Sequence, residues 1–135
     1  MVTADQLVAH AVGDYLLQSD WMATQKTRRS LPALVHAGVY GLPFLFLSTS
    51  PLALLIICVS HFVIDRWRLA RYLSWFSNRL APGPHPSWNE CHDTGYSEQR
   101  PPWISQWLLV ISDNTLHVLI NSWALALTRT RNGRT

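Results

Sequence analysis

The chain has 135 residues, 48% hydrophobic and 14% charged, with a formal net charge of +3. That charged fraction lies well below the roughly 25% usual in soluble domains, and the length suits one domain. Two cysteines, Cys58 and Cys91, with no CxxC spacing, exclude a disulfide framework. The N-terminus has no basic region ahead of an apolar run and cleavage site, so no removable signal peptide is expected.

The first segment, about residues 2–22, is apolar on one side only. Gln6, His10, Asp14 and Gln18 form a ridge at i+4 spacing, with Leu7, Val8, Val12, Leu16 and Leu17 as apolar cover. A linker with Lys26, Arg28 and Arg29 follows. Ser30-Leu31-Pro32 reads as a helix start, with Ser as N-cap and Pro in the first turn. The second segment, 31–47, has His36 as its one ionisable residue, and Ser48 to Pro51 form a turn. The third, about 51–76, is apolar up to Ile64 apart from Ser60 and His61, then runs into Asp65, Arg66, Arg68 and Arg71. Ala81-Pro82-Gly83-Pro84-His85-Pro86 breaks any helix, and a polar loop spans 77–102. The fourth segment, 103–127, has Gln106, Asp113, His117 and Asn121 on one face.

Four apolar segments of this length predict an all-α fold: an integral membrane bundle of about four transmembrane helices in a single domain. Trp21, Trp67, Trp75, Trp88, Trp103 and Trp107, near segment ends or in the loop, match interfacial belts. The expected location is the inner (cytoplasmic) membrane of a bacterium, multi-pass, in a chain of bacterial or phage origin. Eight of the eleven cationic residues fall on the side of the 1–2 linker and the 3–4 loop, and the other three are Arg129, Arg131 and Arg134 in the tail. The positive-inside rule then puts both loops in the cytoplasm. The cations speak for membrane orientation rather than for nucleic acid.

Three segments carry a His and an Asp four residues apart: His10/Asp14, His61/Asp65 and Asp113/His117. Residues i and i+4 share one helix face. The order reverses in the fourth segment, which runs opposite to the first and third in an up-and-down bundle. All three Asp then share one depth, with the His about 6 Å away at 1.5 Å rise per residue. His36 falls on the Asp side. Imidazole and carboxylate together suit Zn, Mn or Fe, so His10, Asp14, His36, His61, Asp65, Asp113 and His117 form the predicted metal-ligand set. Seven candidates exceed the four of one tetrahedral ion, which leaves either two ions or some residues that orient the ligands. Gln18, Asn114 and Asn121 read as interhelical polar contacts, Cys91-His92-Asp93 as solvated surface, and Arg66, Arg68 and Arg71 as interface anchors.

These motifs carry a resemblance. His10-Ala-Val-Gly-Asp14-Tyr-Leu-Leu-Gln18-Ser-Asp-Trp21, followed by Lys26, resembles the N-terminal signature of a family of small bacterial and phage multi-pass membrane proteins of unknown function. His36, His61-Phe-Val-Ile-Asp65 and Asp113-Asn-Thr-Leu-His117 resemble its later motifs. Arg68 stands where that family has Lys, and Asn114 where it often has Gln. The resemblance implies a membrane protein with this His/Asp set and supplies no activity. A looser similarity is to metal-dependent hydrolases of the bacterial inner membrane.

Three functions compete. One is a membrane-embedded, metal-dependent hydrolase acting on a lipid-linked or amphipathic substrate, in contact with the lipid bilayer and able to form a homo-oligomer. Another is a metal or proton transporter. The last is a non-catalytic protein with a structural polar core.

Overall fold

The computed structural model describes residues 1–83 and 85–132, the last four of these by backbone alone. Pro84 in the predicted loop and the side chains of the tail arginines lie outside the described residues. Helices account for the regular structure, and no strand occurs among the described residues. In chain order the elements are α1 (Ala4–Ala11), a π-helical turn (Val12–Leu16), α2 (Asp20–Gln25), α3 (Ser30–Gly41), a 3₁₀ segment (Leu42–Phe46), α4 (Pro51–Trp67), α5 (Leu69–Leu80), α6 (Trp88–Cys91) and α7 (Pro102–Asn132).

Local chemistry sets the boundaries. Thr3 caps α1 in a reciprocal capping box with Gln6, each bond 3.4 Å. The Ser19 hydroxyl accepts from the Met22 amide at the start of α2. At α3 the N-cap is Arg29 rather than the expected Ser30. Ser50 accepts from the Ala53 amide ahead of Pro51, which opens α4. The continuous third helix expected over 51–76 is interrupted at Arg68. This residue sits at φ 52°, ψ 51°, a left-handed conformation that costs a non-glycine residue about 1–2 kcal/mol.

These breaks overturn the predicted transmembrane bundle. Among the described residues, no helix is long and apolar enough to cross a membrane. Twelve residues of α3 and seventeen of α4 rise about 18 and 26 Å, against a hydrocarbon core of about 30 Å. The 31 residues of α7 are long enough. Gln106, Asp113, Asn114, His117 and Asn121 keep them from being apolar enough. The four transmembrane spans, the inner-membrane location and the loop orientation built on them therefore fall.

The chain divides into two compact units. The first joins Met1–Trp67 to the stretch from His117 onward, and the second is Arg68–Leu116. In the first unit, Ala9, Tyr40, Phe44, Ala53, Ile57, Ala124 and Leu125 form a small apolar cluster. Many large apolar residues stay exposed instead, Phe46 at 92% and Leu16 at 77% among them. The high apolar content is thus not matched by an equally large core. In the second unit α5 clamps the chain around residues 92–95. Arg68 donates to the Asp93 carbonyl, Arg71 to the His92 carbonyl and Asn78 to the Gly95 carbonyl. Gly95 sits at φ 80°, and a Cβ there would lie 2.2 Å from the Arg71 carbonyl oxygen, so only glycine fits. Tyr72 stacks on Trp88 at 4.7 Å. Arg68 and Arg71 thus brace a loop. Cys91, read from sequence as surface, is 2% exposed.

Candidate metal centre

Four polar side chains converge inside the first unit from three elements. Asp14 comes from the π-helical turn, His36 from α3, and His61 with Asp65 from α4. Asp14 Oδ1 lies 3.1 Å from His36 Nε2 and 3.7 Å from His61 Nε2. Asp65 Oδ2 lies 3.3 Å from each of the same two nitrogens, and the nitrogens are 2.9 Å apart. One donor atom from each of the four side chains falls within 4.8 Å of all the others, an arrangement that could hold a metal ion. All four residues are buried.

The i+4 rule works for one pair and fails for another, for a local reason. His61 and Asp65 lie on regular helix, and their side chains meet. His10 and Asp14 straddle the start of the π-helical turn, where the Leu17 amide donates to the Val12 carbonyl, an i→i+5 bond. The wider turn rotates Asp14 toward His36 and leaves His10 facing Tyr40, with His10 Nδ1 2.9 Å from the Tyr40 hydroxyl. Gly13 makes this approach possible, because a Cβ there would lie 2.8 Å from the Tyr40 carbonyl oxygen and 2.9 Å from its ring.

His117 and Tyr40 support the four donors. His117 Nε2 lies 3.1 Å from Asp65 Oδ1, and His117 Nδ1 lies 3.2 Å from His61 Nδ1. The carboxylate can only accept, so Nε2 of His117 carries the proton, and with His117 neutral its Nδ1 accepts from His61 Nδ1–H. His61 Nε2 is then left bare and aimed at Asp14 and Asp65. A lone pair facing two carboxylates is repulsive unless a proton donor or a cation lies among them, and His36 Nε2 at 2.9 Å and the Lys26 ammonium both lie there. The Tyr40 ring stacks on His61 at 3.6 Å, and its hydroxyl accepts from Asn121 Nδ2 at 2.5 Å. Asn121 thus makes the inter-helix contact expected of it. Asp113 falls in the second unit, one turn before His117 on α7.

Lys26 is the residue the sequence reading left out of the site. Its Nζ lies 2.7 Å from Asp65 Oδ2, 3.1 Å from His36 Nε2 and 3.5 Å from Asp14 Oδ1. Its signal was present in the sequence, since Lys26 is the one lysine beside ten arginines. Even so, Asp65 Oδ2 accepts no hydrogen bond of good geometry among the described residues, and neither does His36 Nδ1 find a partner.

Electrostatics put Asp14, Asp65 and His61 in their ligating forms, while His36 is pushed toward its protonated form, a proton that a bound metal would have to displace. Burial works to raise the Asp14 pKa, but the bond to His36 and the Lys26 charge outweigh it and bring it down to about 2. Asp65 is likewise held well below the usual carboxylate range, where burial is overcome by the neighbouring histidines. Burial lowers His61 to about 4, against the opposing pull of Asp65. His36 moves up, because bonds to Asp14 and Asp65 outweigh its burial. At neutral pH both carboxylates are ionised and His61 is neutral, as metal ligation requires.

Fold and site together define an all-helical protein with a buried two-histidine, two-aspartate cluster of metal-ligand spacing. The chain belongs to the family described as Protein of unknown function (DUF3307), which it matches over residues 2–89. That stretch contains Asp14, Lys26, His36, His61 and Asp65 and stops short of His117. No curated protein and no solved structure matches the chain.

Proposed function

We propose that the first unit binds one divalent transition-type ion, zinc, manganese or iron, through Asp14, His36, His61 and Asp65 and uses it in hydrolysis. One observation carries this reading. Five of the six distances among the four donor atoms run from 2.9 to 3.7 Å. A tetrahedral ion bound at about 2.0–2.1 Å needs donors roughly 3.3 Å apart. His117 holds the His61 tautomer and the second Asp65 oxygen, the outer support that ligating histidines usually have. A bound ion would supply Lewis acidity toward a water or a substrate oxygen.

Access is from the Asp14–Lys26 edge, where side-chain exposure reaches 8% and 17% against at most 3% for His36, His61 and Asp65. The substrate class we favour remains amphipathic or lipid-linked. In support, an apolar groove of about 460 Å³, lined by Val8, Val12, Leu17, Leu42, Phe46 and Leu47, runs along the same α1 and π-helical turn that carry His10 and Asp14.

A second reading has its own support. Lys26 lies 2.7 Å from Asp65, and His36, pushed toward its protonated form by both carboxylates, can supply a second positive charge, so the cluster can neutralise itself as a metal-free polar core. Turnover of chromogenic ester and phosphoester substrates separates the two. The hydrolase reading expects turnover that needs Zn, Mn or Fe and is lost in Asp65→Asn. Metal binding without turnover on any substrate would reduce the site to a structural one.

A further inference from the structure

We infer that the Lys26 ammonium and a divalent cation are alternative occupants of one site, so that metal binding is an exchange in which Lys26 leaves the cluster. The inference rests on the metal reading above and adds what sets the affinity of the site.

Residue choice is the first ground. Ten of the eleven cationic residues are arginine, and the single lysine is the one that reaches the cluster. A guanidinium is a broad planar fork, whereas an ammonium is a compact point charge. Where the other cations brace backbone carbonyls, as Arg66 does with Thr27 and Arg71 with His92, the fork suits the task. Between two carboxylates and an imidazole nitrogen, a small cation is required.

Geometry is the second ground. The ammonium touches Asp65 Oδ2, His36 Nε2 and Asp14 Oδ1, three of the four donor atoms. A dication bound to those same atoms would meet a like charge at close range, so the two cannot share them. The ammonium hydrogen-bonds Asp14 Oδ1 and His36 Nε2, while its contact with Asp65 Oδ2 is one of charge, so a dication would take over the same three atoms.

The third ground is a way out. Lys26 lies on the solvent side of the cluster, with its side chain 17% exposed. It is the C-cap of α2, a helix with no buried residue. Withdrawal of Lys26 therefore unpacks nothing in the apolar cluster.

Two measurements test the exchange. Zinc is titrated against a chromophoric chelator for wild type and Lys26→Met, with folding of both checked by circular dichroism. Removing the competing cation should tighten zinc binding at least tenfold, and equal or weaker binding overturns the exchange. Zinc binding by Lys26→Met alone upholds the exchange, with the ammonium winning in wild type, and sinks only the metal reading of the natural chain. Zinc binding by neither folded protein overturns both. The second measurement uses wild type at a zinc concentration that saturates it and follows acetylation of the single lysine by peptide mass spectrometry. Zinc should speed Lys26 modification several-fold. An unchanged or slower rate overturns the exchange, whether or not the variant folds.

Discussion

Acid should destabilise the metal-free protein through His61 before any carboxylate is protonated. His61 is fully buried, and its pKa falls from an ordinary 6.5 to about 4. Between those values the unfolded chain holds a proton that the folded chain does not, so stability falls as pH drops through the window. The fall from 6.5 to about 4, at roughly 1.4 kcal/mol per tenfold change in proton affinity, comes to about 3 kcal/mol. His36 works in the opposite sense. Its raised pKa gives stability that is fully present below 6.5 and is lost as pH rises through the folded value. Below pH 6.5 it is charged in both states and adds no slope. Stability of the chelator-treated protein should therefore peak near pH 6.5. Asp14 and Asp65, both lowered, add further loss only below about 3.8. The assay is urea unfolding followed by tryptophan fluorescence from pH 4 to 8, on wild type and His61→Asn. The variant should lose most of the acid limb whatever its absolute stability. An acid limb equally steep in both proteins would refute the assignment.

Three further outcomes follow from the packing. Gly13→Ala places a Cβ 2.8 Å from the Tyr40 carbonyl oxygen, where backbone must yield, so it should cost about 1–3 kcal/mol in urea unfolding. Gly38→Ala meets nothing within 4 Å on exposed α3 surface and should stabilise by about 0.5–1 kcal/mol in the same assay. Tyr40→Phe removes the acceptor of Asn121 and the partner of His10, both buried, and should lower stability by about 1–3 kcal/mol in thermal or urea unfolding.

The helical class and the residues of the cluster were legible in the sequence because side-chain spacing is local information. His61 and Asp65 meet as i and i+4 on regular helix. His10 was misplaced because a π-helical turn cannot be read from periodicity, and one extra residue in that turn sends His10 to Tyr40 while Asp14 goes to His36. The membrane reading failed on polarity for α7 and on length for the second and third segments, and length depends on where helices stop. Arg68 ends α4 in a left-handed conformation that its sequence does not announce, and Leu42–Phe46 tightens into a 3₁₀ segment after only twelve residues of α3. Lys26 was passed over because it lies in a linker, outside every periodic segment. Its distance from the donors is set by tertiary structure alone.

Elemental analysis by mass spectrometry of protein purified without chelator, with Asp65→Asn prepared in parallel, counts the metal that the four donors hold. About one zinc, manganese or iron per chain is expected in wild type, because four converging donors make one site, and that ion should be lost from the variant. Less than about 0.2 ion per chain in folded wild type would contradict the metal reading and leave a self-neutralised polar core in its place, in which Asp65→Asn strands the Lys26 charge and lowers stability.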